Sequence, residues 1–205
     1  MRSPLFQKFA GALAIGAGAG GIAYAIAFLV FLYNGSRGSK GAISLLLLLG
    51  GLATSAVLVA LYDLVREVDP MFALWGLIIG VAGAIGSVLH GGLDLAETIR
   101  EINPRDVSPV DARGLATFGL TSVGIVTLSW LMTRDRRFLS ALGRLGIAAA
   151  AGLILVYVGR ISLYNPKRPV LLALLVIAGF ILTPAWYIWI GLRLRSMREP
   201  AGTTR

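Results

Sequence analysis

Residues 69–102 read DPMFALWGLIIGVAGAIGSVLHGGLDLAETIREI, and the fold follows from how this stretch is read. Asp69-Pro70 opens a helix, with an acceptor side chain at the N-cap and proline at the first helical position, where no amide is missed. Met71 to Leu89 contains no charged residue. At 1.5 Å per residue, about 20 such residues cross the roughly 30 Å hydrocarbon layer of a bilayer. A charged extension follows. On it His90, Asp94, Glu97 and Glu101 share a helical arc of roughly 60°, while Leu93, Ala96, Ile99 and Ile102 line the other side. The helix is expected to stop before Asn103-Pro104, because the residue before a proline avoids the α region.

Blocks of the same kind make up the rest of the chain. Of its 205 residues, 57% are hydrophobic and only 14% charged, whereas about 25% of residues are charged in a soluble domain. The sequence predicts an all-α polytopic membrane protein, one domain over 1–205 with six transmembrane helices. Their approximate spans are 9–33, 42–65, 70–102, 109–132, 138–164 and 170–192, with a loose basic tail at 193–205. Met1–Lys8 is a short basic lead, and Asn34–Gly41 (NGSRGSKG) is a polar turn. Ser108-Pro109-Val110-Asp111 has the form of a capping box for the fourth helix, and Pro184 predicts a kink in the sixth.

The first helix is dominated by small residues: 13 of the 18 from Ala10 to Ala27 are Gly or Ala. Gly16, Gly18 and Gly21 spell G-x-G-x-x-G, but neither the preceding strand nor the later ribose-binding acid of a dinucleotide site is present. Ala23-Tyr24-Ala25 resembles a signal cleavage site, yet the apolar run continues too far beyond it. Ala12, Gly16 and Gly20 are instead expected to let a neighbouring backbone approach closely. Gly76, Gly80, Gly83 and Ala84 offer a similar surface on the third helix.

The net charge is +9, but Lys and Arg sit at helix ends and loops rather than on one face. Anionic headgroups and the positive-inside bias account for them without nucleic acid. Six spans place both termini on one side, which holds 11 Lys+Arg against 8 on the other. Trp75, Trp130, Trp186 and Trp189 fall at helix ends on that richer side, as in an aromatic belt. The reading is a multi-pass plasma-membrane protein with both termini cytoplasmic. The chain has no cysteine, which removes disulfide, thiol and thiolate–metal chemistry.

The six-span layout, the segment ALYDLVREVDPMFALWGLIIGVAGAIGSVL and the closing PAWYIWIGLRLR resemble a group of small prokaryotic six-helix membrane proteins of unknown function. The resemblance implies the fold and carries no activity. A fainter internal echo relates helices two and three (LYDLVREVDP) to helices five and six (ISLYNPKRP), in the manner of transporter half-repeats.

One polar cluster is a candidate for function: His90, Asp94, Glu97 and Glu101, with Arg160 brought to similar depth by the fifth helix. Asp94 is the first choice of partner for Arg160 and Glu97 the second. Asp63, Arg66 and Glu67 form a second charged cluster, in which Asp63 and Arg66 are spaced to pair. A lone histidine falls short of the ligand set of a zinc hydrolase, and the stripe reads more simply as the solvated face of a helix leaving the membrane. The Ser and Thr of the fourth helix (Thr117, Thr121, Ser122, Thr127, Ser129) are expected to bond to their own helix or a neighbour. No catalytic, cofactor or metal residue is assigned. Two functions follow as expectations. One is a non-enzymatic structural, accessory or lipid-contacting bundle, with membrane lipids, a membrane-protein partner or a second copy as its contacts. The other is a small transporter or sensor whose outward site contains His90, Asp94, Glu97 and Arg160.

Overall fold

A computed structural model describes residues 3–100, 115–163 and 169–197, with the side chains at 32–34, 115, 116, 118 and 160–163 outside that description. Every regular element among the described residues is helical. Helix α1 covers Pro4–Asn34, α2 Arg37–Val65 and α3 Pro70–Arg100. Helix α4 opens with a π-helical stretch, Leu115–Leu120, and continues as Thr121–Met132. Helix α5 covers Ser140–Leu163, and α6 covers Pro169–Ser196 with a second π-helical stretch at Val176–Leu182. Helices α1, α2, α3, α5 and α6 are long and apolar enough to cross a membrane, and α4 is shorter over its described length.

Each helix packs on the next in sequence and α6 returns to α1, which closes the six into a ring. Both described chain ends lie at the same end of the ring, where the Gln7 side-chain amide donates to the Leu194 carbonyl at 2.8 Å. This is the terminal end. The far end carries Gly35–Ser36 and the last turns of α3.

Local chemistry sets the helix limits, and it moves several of the expected ones. Asp69 Oδ1 accepts from the Met71 and Phe72 amides at 3.1 and 3.0 Å, so the Asp-Pro start of α3 stands as read. The same device starts α1 earlier than expected: Ser3 caps the Phe6 amide and Pro4 follows it, so Met1–Lys8 is not wholly a lead. Ser36 caps the Ser39 amide and begins α2 at Arg37, which leaves only Gly35 and Ser36 between helices. Gly35 has φ +60°, a left-handed conformation suited to a residue without Cβ. Helix α6 runs to Ser196, so Arg193 and Arg195 form its last turn rather than a loose tail. Pro184 is met by the π-helical stretch before it. The amide of Thr183 bonds back five residues to the Ala178 carbonyl, which re-spaces the ladder where the proline has no amide to offer.

Small residues set the helix spacing, though on α1 they are not the expected ones. Ala12 and Gly16 are exposed. A Cβ on Gly16 would meet nothing within 4 Å, and one on Gly20 only the Leu46 side chain at 3.8 Å. The close face of α1 is instead Gly11 and Gly18, where a Cβ would come within 2.8 Å of Arg195 Cγ and 2.6 Å of Ile188 Cγ1 on α6. Both registers occur in the Gly/Ala-rich stretch, and the position of α6 selects one. On α3 the expected surface holds. Gly76 lies against Thr127 and Gly80 against Leu58 and Gly124, with Gly83 and Ala84 buried.

The dry core occupies the terminal half of the ring. Leu58, Leu61 and Leu64 from α2, Leu128, Leu131 and Met132 from α4, and Trp186, Ile190 and Leu194 from α6 are almost wholly buried there. Trp186 therefore belongs to the core and not to an aromatic belt. Trp75 and Trp189 are exposed enough for a belt, and Trp130 lies under the Arg134 guanidinium at 3.8 Å and edge-on to Phe72.

Candidate functional site

Three polar features bear on function, and they occupy different levels of the ring. At the far end His90 and Asp94, one turn apart on α3, meet with Nε2 to Oδ2 at 3.1 Å. Glu97 turns to the start of α2, 4.0 Å from Lys40 Nζ. The early start of α2 also brings in Arg37, whose guanidinium donates to the carbonyls of Thr98 at 2.9 Å and Ile99 at 3.1 Å. Those carbonyls belong to the last described turn of α3, where a cation interacts favourably with the macrodipole. Arg37 was not singled out in the sequence, because Asn34–Gly41 reads as a turn. Replacing Arg37 with alanine is expected to cost about 1 kcal/mol and to speed amide exchange at Thr98–Arg100 while leaving α6 unchanged. Glu101 and the Arg160 side chain lie outside the described residues. Among the described residues, no three His, Asp or Glu side chains converge on one point.

At the terminal end the second charged cluster is divided between two partners. Arg66 Nη2 pairs with Asp63 Oδ1 at 2.9 Å, as the spacing predicts. Glu67 instead pairs across the ring with Arg137 Nη1 at 3.0 Å. Arg137 is the hub of this end. Its guanidinium grips the buried carboxylate of Asp135 at 2.6 and 2.9 Å and donates to the Leu64 carbonyl at the end of α2. Arg193 on α6 donates to the Arg137 carbonyl. Donation to the Asp135 carboxylate raises the Arg137 pKa above the ordinary guanidinium range, and the charge of Glu67 adds to this against the opposing effect of burial. A raised value keeps the cation present at every pH below that limit, so its part in the clasp is lost only above it.

Between these ends lies a cavity of about 800 Å3 to which all six helices contribute. It lies in the middle of the ring beside the dry core, reaching Leu46 and Leu47 toward the far end and Phe9 and Leu13 toward the terminal end. Leu13, Leu46, Leu47, Ile125 and Leu153 form much of its wall. Its polar side chains, among the described residues, are all hydroxyls. Thr54 of α2 and Tyr187 of α6 bond to each other at 2.7 Å, joining the two helices that flank α1. Ser87 donates to the Gly83 carbonyl and Thr183 to the Ala178 carbonyl. Thr121 Oγ1 and Ser122 Oγ are buried and have no partner. Of the α4 hydroxyls, Thr127 bonds to its own helix at Val123 as expected, whereas Thr121, Ser122 and Ser129 do not.

Both π-helical stretches reach this cavity, through Thr117 in α4 and Gly179 in α6. Such turns concentrate at functional sites because they redirect side chains and loosen backbone bonding. The cavity meets the outer surface along the α1–α2 seam: Gly16, Leu49 and Leu52 line it and are themselves exposed. A Cβ on Gly16 or Gly50 would meet nothing within 4 Å, so the two backbones do not close on each other there. His90 and Asp94 are not among its lining residues. Comparison of the chain with family models, with characterised proteins and with solved structures finds no match.

Proposed function

We propose that the protein is a multi-pass integral membrane protein of the plasma membrane, a non-enzymatic helical bundle that works through contact with lipid, with both termini cytoplasmic. The outer surface of the ring carries this reading. Ile26 on α1, Leu52 on α2, Ile78 on α3, Leu155 on α5 and Ile181 on α6 are each more than half exposed. In water an apolar surface on five helices would far exceed the few hundred Å2 that monomeric proteins leave uncovered, and lipid tails cover it without penalty. Among the described residues the charged groups are confined to the two ends, which suits the headgroup layers.

Single cysteines at Gly38 and Ser196, both exposed and at opposite ends, test the orientation with an impermeant thiol reagent. The chain has no cysteine of its own to react. In intact cells position 38 is expected to label and position 196 only after permeabilisation. The reverse pattern would invert the orientation, and labelling of both in intact cells would remove the spanning reading.

The second reading, a small transporter or sensor built on His90, Asp94, Glu97 and Arg160, has one observation in its favour. Ser87 on the cavity wall stands one turn below His90 on α3.

A further inference from the structure

We infer that the cavity is a binding site for a neutral lipid-like molecule that carries a carbonyl oxygen and enters through the α1–α2 seam. This deepens the membrane reading and rests on it for the route of entry. Three observations select the ligand. Among the described residues that line the cavity there is no Lys, Arg, Asp, Glu or His. A charged headgroup would therefore be buried without a counter-charge, at a cost that neutral ligands escape. Nor do the wall hydroxyls all answer to one another. Ser55, Ser87 and Thr183 donate to carbonyls of their own helices and Thr54 is joined to Tyr187, but the consecutive Thr121 and Ser122 of α4 have no partner among the described residues. A buried donor without an acceptor is costly, and a carbonyl oxygen with its two lone pairs answers both. Both residues line the cavity, and a change of χ1 between staggered positions re-aims a hydroxyl.

Size and access agree with that ligand. A volume of about 800 Å3 falls within the roughly 300–1,000 Å3 typical of small-molecule sites. The mouth at Gly16 and Gly50 faces outward among Leu49 and Leu52, so an acyl or prenyl chain passes from bilayer to cavity without crossing water. A glyceride ester and an alkyl quinone share the required chemistry.

The test is thermal stabilisation of the purified full chain in a fixed detergent, titrated with monoolein, with decyl-benzoquinone and with oleate. Monoolein and oleate have the same chain and differ in head charge. Saturable stabilisation by one neutral probe but not by oleate is expected, and the probe that acts identifies the source. Gly50→Phe fills the mouth where the structure leaves room, so the ligand-free protein is expected to melt as before and to bind at least 10-fold more weakly. Thr121→Val with Ser122→Ala removes the two donors without removing volume from the core, and a loss of about 10-fold is expected. No stabilisation by either neutral probe, equal stabilisation by oleate, or undiminished binding to G50F would each overturn the assignment. The cysteine labelling reports on the membrane separately, so failure of the binding site and failure of the spanning reading are distinguishable.

Discussion

Replacing Gly124 with alanine is expected to lower the unfolding free energy by about 3 kcal/mol, and replacing it with leucine to leave no folded ring. Gly124 is where α4 crosses α3. A Cβ there would sit on the Gly80 Cα and within 2.7 Å of the Gly76 carbonyl oxygen and the Gly80 nitrogen. Backbone atoms cannot turn aside as a side chain can, so the two helices must separate. Separation loosens Gly76 from Thr127 and Gly80 from Leu58, and so opens the dry core beside them. Gly16→Ala is the control, with the opposite sign. Its Cβ meets nothing within 4 Å, so the helical preference of alanine is expected to add about 0.5–1 kcal/mol. Thermal unfolding in one detergent reads both. Equal midpoints for the two variants would mean that α3 and α4 do not cross this closely.

The second large effect is expected at Arg137. Removing it as Arg137→Leu strands the carboxylate of Asp135, which is only 8% exposed, and frees the Leu64 carbonyl and Glu67. Breaking a buried pair from one side costs about 3–5 kcal/mol. The Arg137 side chain is 30% exposed, so solvent takes part of that load and about 2–3 kcal/mol is expected. The double variant Asp135→Leu/Arg137→Leu leaves no orphaned charge and is expected to lose less than R137L alone. Glu67→Gln should cost under about 0.5 kcal/mol, because Glu67 is 59% exposed and its pair is solvated. Strictly additive losses for Asp135 and Arg137 in the cycle would show that the clasp does not act as a unit.

Much of this fold is legible because its signals are local. Asp69-Pro70 marks a helix start whatever surrounds it, and runs such as 71–89 have the length and apolarity of a membrane span. Ser3-Pro4 carries the same start signal as Asp69-Pro70, but beside Arg2 and Lys8 it reads as a basic lead. Which face of α1 is close-packed is not a local matter. Ala12, Gly16 and Gly20 are as small as Gly11 and Gly18, and only the docking of α6 decides between the two rows. The site divides the same way. His90 and Asp94 are one turn apart on one helix, so their contact at 3.1 Å follows from spacing alone. Asp135 and Arg137 sit in what reads as a basic turn, and their partners Leu64 and Glu67 lie some 70 residues away. The cavity is less legible still. Its hydroxyls come from α1, α2, α3, α4 and α6, each unremarkable within its own helix, and only closure of the ring gathers them.

A bundle that is filled at one end and hollow at its middle has unequal stiffness along its axis. Close-packed interiors barely compress, whereas voids are the volume that hydrostatic pressure removes. The Leu58–Leu128–Trp186 half therefore acts as a rigid base, and the half around Gly16, Gly50 and Thr121 as the part that yields. Squeezing is absorbed by α1 moving toward α2, since the seam between them is where no backbone contact resists it at Gly16 and Gly50. Pressure dependence of methyl chemical shifts in α1 and α2, set against those of Leu58 and Leu128, would record a molecule that breathes at its waist and not at its base.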